Sequence, residues 1–294
     1  MTVSLLPTRG STARPPVVLP LIVACALFME QLDSTVVATA LPAMARSLGE
    51  NALTMNVAMT AYLLSLAVFI PASGWLADRF GARDVFAAAI VVFTLSSLLC
   101  GVAQNLPEMT AARVLQGLGG AMMTPVGRLV LLRAVPKSQL VQAMTYVTIP
   151  ALLGPAMGPL LGGFIATYSS WRWIFFINLP IGLVGLILAL RIIPNMRQPD
   201  PGPADVRGLV LTGLGLGALA FTLDNIGRGS LPGAILVGAG AIAVLSLALF
   251  GRHARRAPRP AVDLSCSGCR PSGPRSSAGM CSASPSAGPR SCCR

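Results

Sequence analysis

The sequence is short of charge, and the charge it has is one-sided. Only 11% of its 294 residues are Asp, Glu, Lys or Arg, less than half of the roughly 25% usual in soluble globular domains, which excludes an ordinary soluble fold. Ten acids stand against 22 Lys and Arg, a formal net charge of +12. The basic residues are dispersed between apolar runs, which excludes a nucleic-acid-binding face. The single histidine, His253, lies outside every such run, so histidine-based metal or nucleophile chemistry inside them is excluded, and no enzyme constellation is present. Cysteine is scarce until the end: five of the seven, Cys266, Cys269, Cys281, Cys292 and Cys293, fall in the last stretch. Cys266-Ser-Gly-Cys269 has the spacing of half a metal site but lacks a matching second pair, and an inner, reducing compartment disfavours disulfides.

Apolar residues, by contrast, make up 54% of the chain. About 20 of them in a row suffice to cross a bilayer as a helix, and eight runs reach that length, at 17–42, 54–76, 85–104, 109–132, 140–167, 173–193, 208–226 and 232–250. The expected fold is all-α, a polytopic integral membrane helical bundle with short connections. Placing the N-terminus inside puts Arg9, Arg14, Arg79, Arg83, Arg133, Lys137, Arg191, Arg197, Arg207, Arg252, Arg255, Arg256 and Arg259 on the inner side, against Arg46, Arg172 and Arg228 outside. That asymmetry sets the orientation. The first run resembles a signal peptide, with Ala43-Met-Ala45 as a cleavage site, but Glu30 and Asp33 interrupt it and further runs follow at once, so it reads as the first span. The expected organisation is a cytoplasmic tail at 1–16, a six-helix bundle at 17–193, a cytoplasmic linker at 194–207, two further helices at 208–250 and a basic tail at 251–294.

The most informative stretch is Pro150-Ala-Leu-Leu-Gly154-Pro155-Ala-Met-Gly158-Pro159-Leu-Leu-Gly162-Gly163. Gly154, Gly158 and Gly162 recur every four residues, so on a helix they line one face and admit a neighbouring backbone. Pro155 and Pro159 each remove a backbone hydrogen bond, which predicts a kinked, tightly packed spanning helix. The plainer reading is an ordinary glycine-rich membrane helix.

Three groups of polar residues stand out. Glu30 and Asp33, three residues apart, share a face of the first span; acids in a membrane are costly and tend to line an interior path for protons or substrate, although Glu30 also suits a structural hydrogen bond. Arg113 lies in the fourth span, in Arg113-Val-Leu-Gln116-Gly117-Leu-Gly119-Gly120, and needs a counter-charge. At about 1.5 Å per residue, Asp33 sits roughly 13 Å and Arg113 roughly 6 Å below the outer boundary, so they are within reach of one another; the alternative is an Arg113 that snorkels outward. Arg128 and Arg133 read as inner anchors. The first inner loop, Gly74-Trp-Leu-Ala-Asp78-Arg79-Phe-Gly81-Ala82-Arg83, places Asp78 to pair with Arg79 or Arg83, or to face a helix N-terminus, with Gly81 supplying a positive φ for a tight turn. Trp171-Arg172-Trp173 and Tyr168 read as an outer interfacial anchor. Asp224 reads either as an exposed boundary residue or as a pathway acid.

Together these stretches resemble the major facilitator superfamily, and within it the drug:proton antiporters with fourteen spans. The Gly74 to Arg83 loop is similar to the superfamily's inner-loop signature, Arg113 to Ala121 to its fourth-helix motif, and Pro150 to Gly163 to the fifth-helix motif of antiporters. Leu32-Asp33-Ser-Thr-Val-Val-Ala-Thr-Ala-Leu-Pro42, Trp171-Arg172-Trp173 and Asn178-Leu179-Pro180 point to the fourteen-span group. Ala82 departs from the loop signature, which usually has a base there. The resemblance implies proton-coupled efflux of hydrophobic or cationic drugs across the inner (plasma) membrane by alternating access, driven by the proton gradient without a cofactor or metal. It implies that Asp33, Glu30 and Arg113 serve proton coupling and the substrate path, and that Gly74, Asp78, Arg79, Gly81 and Arg83 form an inner gate. Arg113, Gln116 and Gly117 would tune proton transfer. Partners would be the lipid bilayer, the substrate and protons, with a second half-bundle or accessory export proteins. A metabolite carrier of the same superfamily is the less favoured function.

The resemblance runs from about residue 17 to 264. Pro260-Ala-Val-Asp-Leu264-Ser265 is similar to the lead-in to a ninth helix, but Cys, Ser, Pro, Gly and Arg follow to Arg294, a composition that predicts disorder. The expectation is a frameshift near residue 265 that removes the second bundle, and with it the usual partner surface of the Gly154, Gly158, Gly162 seam and of the Asp78 gate, leaving a truncated half-bundle that does not transport as the alternative to an efflux pump.

Overall fold

The computed structural model describes residues 17–198, 202–226 and 232–255. The predicted N-terminal tail, the C-terminal tail after Arg255, Arg228 and the middle of the linker lie outside the described residues; Gly251 to Ala254, placed in the tail, continue α10. Among those described there are ten α-helices and no strand: α1 (Val18–Ser47), α2 (Ala52–Phe69), α3 (Ser73–Phe80), α4 (Ala82–Val102), α5 (Leu106–Ala134), α6 (Leu140–Tyr168), α7 (Trp173–Phe176), α8 (Asn178–Ile192), α9 (Val206–Asn225) and α10 (Gly233–Ala254). A 3-10 turn at Ile70–Ala72, where Pro71 lacks an N–H, joins α2 to α3 as one rod, and α7 continues into α8. The ten helices thus make eight rods, one for each apolar run. Seven are long and apolar enough to cross a membrane. The exception, α5, is of similar length but carries Arg113, Gln116, Arg128 and Arg133 in its length; Arg113 and Gln116 are buried among neighbouring helices, whereas Arg128 is exposed.

Local chemistry sets the helix ends. Asn51 and Asn105 cap α2 and α5, the Asn105 side-chain oxygen accepting the Glu108 N–H at 2.9 Å while the Glu108 carboxylate accepts the Gln104 N–H at 2.9 Å. Asp205 caps α9 in the same way. Gly81, between α3 and α4, has φ of 101°, and a Cβ there would run into Asn195 and Arg197, so a side chain at this turn is refused both by the backbone and by the linker lying over it.

Packing is densest where small residues meet. α1 runs along α6, α4 and α2 pack on α5, and α8 closes against α4 and α1. α6 is continuous through Pro150, Pro155 and Pro159, and Gly154, Gly158 and Gly162 are its buried face. A Cβ on them would strike Gln31, Thr35 and Thr39 of α1 respectively. The glycine seam is therefore filled inside this bundle, which corrects the expectation that its partner surface belongs to a second half. Pro155, Pro159 and Gly163 lie on the exposed side of α6, together with Leu152, Leu160 and Phe164. α9 packs on α2, with Gly213 and Gly217 against Val68, and α10 packs on α9.

The apolar core is split in two. One cluster takes Leu19 to Met29 of α1, Val85 to Phe93 of α4 and Met122 to Leu131 of α5; the other takes Leu32 to Ala45, Cys100 and Met109 to Ala112 of the same helices. Asp33, Arg113 and Gln116 lie in the layer between them.

Candidate functional site

At the boundary of the two clusters five buried polar side chains from four helices form one network: Asp33, Ser97, Arg113, Gln116 and Asn178. Arg113 Nη1 of α5 donates to Asp33 Oδ2 at 2.6 Å, and both side chains are fully excluded from solvent. Gln116, one turn further along α5, donates through Nε2 to Asp33 Oδ1 at 3.0 Å and to Ser97 Oγ at 2.8 Å, while its Oε1 accepts Arg113 Nη1 at 2.6 Å. Asn178, at the start of α8, donates through Nδ2 to Asp33 Oδ1 and to Ser97 Oγ of α4, both at 3.1 Å. The remaining faces of the guanidinium are aromatic and sulfur. Its carbon lies 4.6 Å from the centre of the Tyr62 ring and 5.9 Å from that of Phe175, and Nη2 is 3.5 Å from Met59 Sδ. A buried carboxylate thus has a counter-charge and two amide donors, the condition under which a charge tolerates burial.

Helical spacing explains why the site forms. Arg113 and Gln116 are three apart on one face of α5, and Gly117 beside them lets α2 approach, since a Cβ there would meet Ser65 and the Tyr62 carbonyl. Ser65 in turn donates its hydroxyl to the Val114 carbonyl at 2.7 Å, which ties α2 to α5 at this level. Glu30, one turn from Asp33 along α1, is also buried and also faces α5, where the Thr124 hydroxyl donates to Oε2 at 2.8 Å. Among the described residues no cation bonds it. Glu30 and Asp33 share a face, as the spacing implied, but differ sharply in their compensation.

The inner loop is arranged differently from the expectation. Asp78 Oδ1 accepts from Arg133 Nη2 at 2.5 Å, so its partner is the end of α5 and not Arg79 or Arg83. Arg133 correspondingly is more than an anchor. Arg83 pairs with Asp84 at 3.0 Å, and Arg197 and Asn195 of the linker reach the same carboxylate at 3.0 and 2.8 Å. The linker backbone joins in: Gln198 donates to the Asp78 carbonyl and Met196 accepts from Ala82. Arg79 is exposed, and Gly74 is exposed with open space around its Cα.

At the other end, the aromatic group divides. Trp173 and Tyr168 are exposed, but Trp171 is buried, because Arg172 stacks on its ring at 4.4 Å while donating to the Gly101 and Ala103 carbonyls at the end of α4. Arg172 is a helix cap rather than an exposed loop charge. Asp224 is half-buried and accepts from Thr60 of α2, which removes the exposed-boundary reading. Sequence reasoning did not single out Ser97 or Tyr62 and treated Asn178 only as part of a motif. Ser97 and Tyr62 carry no signal by themselves in an apolar run; Asn178, an amide inside a span, is the one that did.

The sequence profile of the Major Facilitator Superfamily matches residues 23–251. The chain belongs to the major facilitator superfamily. It is 46% identical over 243 residues to a putative multidrug resistance protein MdtD of Escherichia fergusonii and 47% identical over 247 residues to the MdtD protein of Citrobacter koseri, covering 83% of this chain and 51% of each relative. The chain spans about half the length of the curated relatives it matches. Among solved structures, its fold resembles the POT family transporter PepTSo (TM-score 0.57, 16% identity, 80% of this chain and 52% of that one). It also resembles the proton:xylose symporter XylE (0.53, 16%, 70% and 51%) and the human organic anion transporter MFSD10 (0.54, 14%, 81% and 71%). At such identities the likeness is one of fold. This superfamily member is a multi-pass membrane protein of helical bundle architecture.

Proposed function

We propose that the chain forms the proton-handling part of a drug:proton antiporter, exporting hydrophobic or cationic compounds across the inner (plasma) membrane with its N-terminus in the cytoplasm. The observation that carries this reading is the fully buried Asp33–Arg113 pair inside a membrane bundle. Intramembrane ion pairs are expensive and mark ion and proton pathways. The relatives' multidrug-resistance names and the antiporter-like Gly154 to Gly163 stretch support efflux over uptake.

In this reading a proton entering from outside neutralises Asp33 and releases Arg113 from its counter-charge. Arg113 stays in place on Gln116 Oε1 and between the Tyr62 and Phe175 rings, so the change is electrostatic before it is positional. Glu30, on the same face and with only the Thr124 hydroxyl bonded to it, is the acid open to a cationic substrate. Asp78 and Arg133, with the linker over them, hold the inner ends of α3 and α5 together as the gate. Alternating access rocks two halves about a midplane site, and a companion bundle supplies the opposite wall.

The test is proton-driven dye efflux, measured as dye uptake into inverted vesicles containing the chain. Efflux that collapses with the proton gradient, and that Asp33→Asn abolishes, supports the antiporter. No efflux at confirmed membrane insertion, even with the second half of a relative co-expressed, leaves a half-bundle that does not transport.

A further inference from the structure

The Asp33 shell contains two amide side chains that look alike and are not. Among the described residues every hydrogen-bond partner of the Asp33 carboxylate is a donor: Arg113 Nη1, Gln116 Nε2 and Asn178 Nδ2. That suits a carboxylate and leaves a carboxylic acid with no acceptor for its new O–H. One amide must turn over to provide one. Gln116 is pinned, because its Oε1 accepts from the Arg113 cation at 2.6 Å and lies 3.7 Å from the Cys100 thiol; turning it would set its NH2 against the guanidinium, donor to donor. Asn178 is not pinned. Its Oδ1 is buried and has no hydrogen-bond partner among the described residues, and the residue is wholly inaccessible to solvent.

We propose that Asn178 is a further positioning residue of the coupling site, which registers the protonation of Asp33 by a half-turn of its side-chain amide. This rests on the reading of Asp33 as the proton site. With Asp33 ionised, the Asn178 NH2 donates to Asp33 Oδ1 and to Ser97 Oγ, as in the structure. When Asp33 takes a proton on Oδ1, the amide turns about its last torsion. Its Oδ1 then accepts from the Asp33 O–H and from the Ser97 hydroxyl, which rotates from acceptor to donor. The amide has one unpaired end before the turn and one after it, so its pairing within the shell favours the first orientation while Asp33 is ionised and the second once Asp33 is protonated. Asn178 opens α8 and Ser97 lies in α4, so the turn carries the change of charge on α1 directly to the α4–α8 contact. No other ionisable group takes this role. Arg113 of α5, Tyr62 of α2, Cys100 of α4 and Glu30 on α1 itself bear on Asp33; α8 offers only Arg191, exposed in its last turn, and α6 only the exposed Tyr146 and Tyr168.

The experiment is infrared difference spectroscopy of the full chain in lipid vesicles, titrated with acid, with asparagine labelled at the side-chain carbonyl. The expected result has two parts. A protonated-carboxyl band appears on acidification and is lost in Asp33→Asn, and a labelled amide band shifts with it and is lost in Asn178→Leu. In Asn178→Leu the carboxyl band moves to higher frequency, as for an O–H without an acceptor, while Ser97→Ala, which keeps the amide, reduces the amide shift without abolishing it. An Asp33 band at the same frequency in Asn178→Leu, or a labelled amide band that does not move across the titration, overturns the proposal and leaves Asp33 as the proton site. Absence of any band removed by Asp33→Asn overturns the proton-site reading itself. Helicity by circular dichroism separates these outcomes from misfolding, and Ser97→Ala provides the readout if Asn178→Leu does not insert.

Discussion

α5 carries two arginine–aspartate pairs of nearly the same length and opposite character. Arg113–Asp33, at 2.6 Å, is sealed between two apolar clusters; Arg133–Asp78, at 2.5 Å near the other end of the helix, keeps about a quarter of each side chain exposed. The distance is the same and the physics is not. In the sealed pair, each charge depends wholly on the other and on the amides of Gln116 and Asn178, so removing one partner strands the other in a low dielectric. In the open pair, water replaces whatever is lost, and the Coulombic gain is small and screened. A site built to exchange a proton needs the first kind of pair, and a contact meant to open and close is better served by the second.

The largest effect is expected from breaking the sealed pair. Arg113→Met leaves Asp33 buried without a cation and should lower stability by about 3–5 kcal/mol, read as the detergent-solubilised unfolding midpoint. Arg113→Met combined with Asp33→Leu should recover a substantial part of that loss while remaining inactive in efflux. If the double variant is no more stable than the single one, the pair is not the source of the destabilisation. Next, Gly158→Val on α6 drives a side chain into Thr35 and should cost about 1–3 kcal/mol by overpacking, whereas Gly163→Val on the open side of the same helix should be near neutral; equal effects would contradict the placement of the seam against α1. The open pair comes third. Arg133→Ala should change stability by no more than about 1 kcal/mol, with a further decrease in that difference as salt is raised, and should still impair efflux if the contact gates the inner side. A comparably small effect is expected at Thr60→Val, which removes the hydroxyl bonded to Asp224 and should cost about 0.5–1.5 kcal/mol. It should loosen α9 from α2, measured as faster hydrogen exchange in α9 with α5 unchanged.

The same contrast marks how far the chain could be read without its fold. Arg113 announced its need for a counter-charge because it interrupts an apolar run, and counting helical rise from the two span ends brought Asp33 within reach. Asp78 gave no comparable cue: Arg79 and Arg83 are its neighbours in sequence, and the partner it takes, Arg133, lies 55 residues away at a helix end where a basic residue needs no special explanation. Gly154, Gly158 and Gly162 predicted a close approach correctly and their partner incorrectly, since spacing on one helix says which face is small but not which helix covers it. Ser97 and Tyr62 were silent for the same reason. A serine or a tyrosine in an apolar run acquires a role only from what stands opposite.

Composition and periodicity by themselves determined the all-α bundle, its eight rods and the family motifs, because bilayer thickness and the need to satisfy every backbone group leave few other forms for such runs. Which polar side chains meet, and which of them are sealed from water, was decided only by the tertiary packing. The reason is that the strength of a charge pair depends on the dielectric around it, and that surrounding is built by α2, α4 and α8 together, from residues far from Asp33 in the chain.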